Sequence, residues 1–166
     1  SIKTLKPTTI DRAFISKELS KSDIDLILVV AYGHILPKEM LKIPKIMSMN
    51  IHFSLLPKYR GASPIQSAII NGDKKTGISF MKIIEKMDAG ELIYKADVKI
   101  DNEDTKTVLE NKLTSLAISK IDGVLNSLQK NDYKLIEQNE SDASYCSKII
   151  KEDSLVDFKN TSLDIF

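Results

Sequence analysis

Residues 24–31 read IDLILVVA. All but Asp25 are apolar and most are branched, so the run is predicted to be a strand covered on both faces, as in a parallel sheet. Downstream, Tyr32-Gly33-His34 opens a loop, and Pro37 is placed to begin a short helix, PKEMLK, that stops before Pro44. Residues 46–51 form a second short apolar strand. Ser63 before Pro64 marks a helix start, with serine as the cap and proline where no N–H is needed; that helix runs to about Asn71 and ends at Gly72. Residues 76–84, TGISFMKII, form a third strand, apolar on both faces, and Met87-Asp88-Ala89-Gly90 is the turn after it. Leu92, Tyr94, Ala96, Val98 and Ile100 then alternate with Ile93, Lys95, Asp97 and Lys99, the pattern of a half-exposed antiparallel edge strand. Asp104-Thr105 caps a long helix whose apolar stripe is Leu109, Leu113, Leu116, Ile121, Val124, Leu125 and Leu128. Upstream, Thr8 or Thr9 can cap a helix with Ile10, Phe14, Ile15 and Leu19 on one side. Beyond Lys130 the chain is polar and irregular and reads as a connecting tail. Strands alternating with helices predict an α/β layered fold: a mostly parallel sheet with an antiparallel edge strand and flanking helices.

The chain has 166 residues, 42% of them hydrophobic and 28% charged, which suits one ordinary globular domain. Its formal net charge of +1 gives no global field to attract nucleic acid or an anionic membrane. Cys146 is the only cysteine, which excludes an intramolecular disulfide and a cysteine metal cluster. No apolar run approaches the roughly 20 residues needed to cross a bilayer. The basic residues are almost all lysine, Arg12 and Arg60 being the exceptions, so each arginine is a choice worth explaining.

Ligands of open α/β sheets bind beyond the carboxyl ends of the strands, and three polar residues fall there. Asn50 and His52 close the second strand, two apart and therefore on one face; Asp88 follows the third. An amide donor, an imidazole that titrates near neutrality and a carboxylate make a plausible set for acyl transfer. The same residues also read as turn chemistry: Asn-X-His at a strand end and Asp before Ala-Gly are common shapes of satisfied polar groups. Ser54 beside His52 is a further, weaker candidate as a nucleophile. With two histidines and no cysteine partners, no metal site is expected.

NIHFSLLPKYRGASPIQ at 50–66, followed by NGDKKTGISFMKIIEKMDAGELI at 71–93, closely resembles the folate-dependent formyltransferases. That family carries Asn-X-His, then Ser-Leu-Leu-Pro, then Asp-Ala-Gly or Asp-Thr-Gly. RGASPIQ, VVAYGHILP and ASYCSKIIKEDSLVDF are similar to the branch that formylates initiator methionyl-tRNA. The resemblance implies a partial Rossmann-like catalytic domain over 1–130, incomplete at its N-terminal side, and a connecting segment over 131–166 towards a further C-terminal domain. It implies 10-formyltetrahydrofolate as formyl donor, no metal, and Asn50, His52 and Asp88 as the catalytic trio, acting by direct transfer through a tetrahedral intermediate. His34, Ile35 and Leu36 match the loop lining the pterin pocket, although His34 departs from the residues usual there; Glu85, Lys86 and Met87 match the opposite lip. Lys58 and Arg60 are candidates for contact with the acceptor end of the tRNA, set against a plain solvated basic loop. The resemblance further implies a monomer in a bacterial cytosol or an organelle matrix, with no membrane partner. A sugar-nucleotide N-formyltransferase, a hydrolase of the same donor, and an inactive folate-binding fragment stand as alternatives.

Overall fold

The computed structural model describes residues 4, 6, 10–19, 21–33 and 35–161. Helix α1 (Arg12–Phe14) runs directly into a π-helical turn over Ile15–Leu19. Its start is capped by Asp11, whose Oδ1 accepts the Phe14 N–H at 2.8 Å. The expected caps, Thr8 and Thr9, lie outside the described residues, as does His34.

Four strands form the main sheet in the order β1 (Leu26–Val30), β2 (Met47–His52), β4 (Lys75–Lys82), β5 (Leu92–Lys99). β1 and β2 are parallel, β2 and β4 antiparallel, β4 and β5 antiparallel. The α/β class and the antiparallel edge strand are as read from the sequence, but antiparallel pairing begins one strand further in, between β2 and β4. β1 also differs from expectation. Leu28 and Val30 share one face by the two-residue repeat and are 39% and 48% exposed, so that face is not covered among the described residues.

Helix α2 (Lys38–Leu41) follows Pro37, and α3 (Pro64–Ile70) follows Ser63. Ser63 occupies the cap position, but its side chain makes no capping bond; its carbonyl starts the helix by accepting the Ser67 N–H. Gly72, at φ 62°, supplies the left-handed residue that ends the element. The long helix α4 (Lys106–Gln129) starts at Thr105, whose hydroxyl accepts the Val108 N–H at 3.3 Å. It buries Leu109, Leu113, Ala117, Val124 and Leu128 in the cluster that holds Met49, Ile51, Ile78 and Phe80 of the sheet. Each fully buried leucine or phenylalanine there is worth about 1.5–3 kcal/mol of transfer free energy.

The segment after α4 returns to the body. β6 (Tyr145–Cys146) pairs in parallel with β3 (Arg60–Gly61), Arg60 opposite Tyr145 and Gly61 opposite Cys146. Gly61 sits at φ 118°, and a Cβ there would lie 2.2 Å from the Cys146 carbonyl oxygen, so only glycine permits this close pairing. The consequence is positional: residues 138–146 are drawn to the end of β2.

Candidate active site

Alternation along β2 puts Asn50 and His52 on one face at the strand's carboxyl end, opposite Met81 and Ser79 of β4. The chain then turns through Ser54–Pro57, with a cis peptide before Pro57. Ser54 is fully buried, and its carbonyl accepts the Ser79 hydroxyl at 2.7 Å while that hydroxyl oxygen accepts the Leu56 N–H. The Ser54 hydroxyl donates to the Lys58 carbonyl at 2.5 Å, so it too is engaged in holding the turn.

His52 is 7% exposed, and its ring is hydrogen-bonded through one nitrogen. Nε2 lies 2.8 Å from the Tyr59 carbonyl oxygen. A carbonyl only accepts, so Nε2 carries the hydrogen and Nδ1 is left facing Asp88, whose Oδ2 is 3.7 Å away. That separation is an ion-pair distance rather than a hydrogen bond. The imidazole is therefore oriented by a backbone carbonyl, with the Asp88 carboxylate facing its Nδ1 edge. Asp88 is itself fixed: its Oδ2 accepts the Gly61 N–H at 2.8 Å, and its backbone is left-handed at φ 49°. The Asn50 side chain is half-buried and has no hydrogen-bond partner among the described residues, so its amide is available to a bound molecule.

Of the remaining expected residues, Lys38 Nζ pairs with Glu85 Oε2 at 2.7 Å, which ties the segment after Ile35 and Leu36 to the 85–87 lip. Ile35 and Met87 are exposed on these two segments. Lys86 Nζ lies 2.7 Å from Glu140 Oε2. Lys58 is half-exposed and paired with Asp73, both carboxylate oxygens at 2.8 Å, which raises the pKa of its ammonium.

Arg60 requires a correction. The sequence leaves it open between a contact with the acceptor end of tRNA and a solvated basic loop; its side chain is instead completely buried, and its donors are spent within the chain. Nε and Nη2 donate to Gln138 Oε1 at 3.1 and 2.9 Å, Nη1 and Nη2 donate to the two Glu140 oxygens at 3.1 and 2.9 Å, and Nη1 also donates to the Tyr145 hydroxyl. A buried charge must be paired in this way to be tolerated. The arginine holds Glu140 well below the usual carboxylate range, at about 2, with Lys86 adding to the effect. Gln138, Glu140 and the Tyr59 carbonyl were not singled out by sequence reasoning. The one available signal was the rarity of arginine, which demands a partner; the polar run at 137–142 supplies it.

Among the described residues, no group of three or more His, Cys, Asp or Glu side chains is placed to hold a metal ion, and no helix is long and apolar enough to cross a membrane.

A family model described as formyl transferase matches residues 2–122. Proteins named methionyl-tRNA formyltransferase from Mycoplasma capricolum and Fusobacterium nucleatum are 39% and 38% identical over the whole of this chain, which covers 52% and 54% of their lengths. One from Halothermothrix orenii is 41% identical over 99% of the chain and 52% of its own length. The chain thus spans about half the length of the curated relatives it matches. Among solved structures, the sugar 3N-formyl transferase WlaRD, crystallised with dTDP and 5-N-formyl-THF, superposes with a TM-score of 0.71 at 27% identity, over 86% of this chain and 53% of that one. The Helicobacter canadensis N-formyltransferase, in complex with folinic acid and dTDP-3-aminofucose, gives 0.68 at 27% identity over 81% of this chain and 49% of that one.

Proposed function

Because the chain belongs to the formyl transferase family, we propose that it carries the site at which a formyl group passes from 10-formyltetrahydrofolate to the α-amino group of methionine on initiator tRNA. The observation that carries this reading is the convergence, at the end of β2, of an Asn50 amide without a hydrogen-bond partner among the described residues and a His52 whose Nδ1 faces Asp88. The relatives' names favour methionyl-tRNA as the acceptor, at 37–41% identity along the chain.

The donor would rest between Ile35, Leu36 and the lip of Glu85, Lys86 and Met87. Two exposed apolar side chains on segments tied by the Lys38–Glu85 pair fit a flat ring system. When bound, it supplies the formyl carbon and the nitrogen that leaves. Asn50 donates its amide hydrogens to the formyl oxygen as negative charge develops there. The amine nitrogen bonds the formyl carbon, and the bond from that carbon to the folate nitrogen then breaks. His52 would donate from Nδ1 towards the formyl oxygen, and Asp88 would face the ring and help pass the amine proton to the leaving folate nitrogen. The Tyr59 carbonyl keeps Nε2–H occupied, so the proton is handled at Nδ1 alone. Lys58 remains a cation near this loop for the tRNA acceptor end, screened by Asp73. The cytosol or an organelle matrix is where such an acceptor is found.

The acceptor is tested with the full-length protein, 10-formyltetrahydrofolate, and in turn charged initiator tRNA, an amino-sugar nucleotide, or no acceptor. Formylation of the tRNA is expected. Formylation of the sugar alone, or formate release without an acceptor, would overturn the assignment.

A further inference from the structure

The Asp88 turn is bonded to residues distant in sequence. Asp88 sits in the left-handed region at φ 49°, which aspartate tolerates in a turn, so its placement is set by what bonds to it. Its carboxylate is gripped by the Gly61 N–H. Its carbonyl, together with that of Gly90, accepts from Gln138 Nε2 at 2.9 and 2.7 Å. The orientation of the Gln138 amide is fixed from its other end: Oε1 receives two bonds from Arg60, and a guanidinium can only donate, so the NH2 group must face the two carbonyls. Arg60 in turn is buried and forked onto Glu140.

We propose that Arg60 and Gln138 are positioning residues that hold the Asp88 turn against His52. The inference rests on the reading of Asn50, His52 and Asp88 given above. Neither residue touches the reacting groups; they act by setting the His52–Asp88 separation. Arg60 reaches Asp88 by two routes, through its chain neighbour Gly61 to the carboxylate and through Gln138 to the backbone. The segment after α4 thereby becomes part of the site's construction.

The decisive variant is Gln138→Glu in the full-length protein. It keeps the shape and the acceptor for Arg60, but replaces the donors to the Asp88 and Gly90 carbonyls with an oxygen. The expected result is a fall in kcat of roughly 10–100-fold, with the donor KM within about twofold and displaced NMR signals of the His52 imidazole. An unchanged kcat, or a change in stability with the His52 signals in place, would overturn the proposal. His52→Ala in the same assay separates the two claims. If that variant is as active as the parent, the functional reading fails, while the His52 signals in Gln138→Glu still decide the positioning role. Should Gln138→Glu not fold, Glu140→Gln on the exposed side of Arg60 is expected to shift the His52 signals in the same direction and lower kcat a few-fold. Neither change occurring would count against the clamp.

Discussion

At the scale of single residues, the His52 ring shows how a backbone atom decides side-chain chemistry. The Tyr59 carbonyl at 2.8 Å fixes one nitrogen as a donor, and the other is left as the only one able to exchange a proton with Asp88 or a ligand. The sequence made Asn50 and His52 legible as a pair because strand alternation places residues two apart on one face. It could not announce Tyr59, since every residue has a carbonyl, nor could it show that Arg60 turns inward rather than towards tRNA. Cys146 has a similarly hidden environment. It is buried, and that burial pushes its thiol pKa above the ordinary value despite nearby Ser63 and Ser67. Because the thiolate is the reactive form, Cys146 should react with a thiol reagent far more slowly in native protein than in denaturant. Equal rates by absorbance assay would contradict the packing.

At the scale of elements, α4 packs its apolar stripe on the sheet and is capped at its start by Thr105, and the two contributions are separable by mutation. Leu113 is fully buried in the core cluster, so Leu113→Ala should cost about 2–5 kcal/mol in denaturant unfolding. Thr105→Ala removes only the side-chain cap on Val108 and should cost about 0.5–2 kcal/mol. A larger loss for the cap than for the core would show that the helix is held by its start rather than by its stripe. The stripe was readable because Leu109, Leu113, Val124 and Leu128 recur at helical spacing. Strand direction was less so. An apolar run such as TGISFMKII signals burial on both faces and not which way its neighbour runs, so the β2–β4 antiparallel pairing was not anticipated. The weight carried by residues 138–146 was also hidden, because a polar, aperiodic segment gives no hint that it pairs with β3 across the fold.

At the scale of the whole molecule, two ion clusters join distant parts of the chain and make the fold sensitive to acid in a defined window. Glu140 is lowered to about 2 by Arg60 and then Lys86, and Asp101 is lowered to about 2 by Lys112 and then Lys99. A carboxylate with a depressed folded pKa stabilises the fold above its unfolded pKa, and the contribution is lost as pH falls towards the folded value. The thermal midpoint should therefore drop between about pH 5 and pH 2, and less steeply in Glu140→Gln. A parallel acid profile in the variant would remove Glu140 from the account. The first of these clusters also bears on the proposed function, because the Glu140–Arg60–Gln138 chain of bonds ends on the Asp88 turn and so joins the scaffold to the candidate catalytic residues. The central claim is that His52, oriented by Tyr59 and faced by Asp88, manages the proton in formyl transfer. Its most direct test is the single-turnover rate of tRNA formylation by the full-length protein and its His52→Ala variant, at saturating donor and charged initiator tRNA. The account predicts a rate lower by about two to four orders of magnitude, with an unchanged circular dichroism spectrum; a rate near that of the parent protein would contradict it.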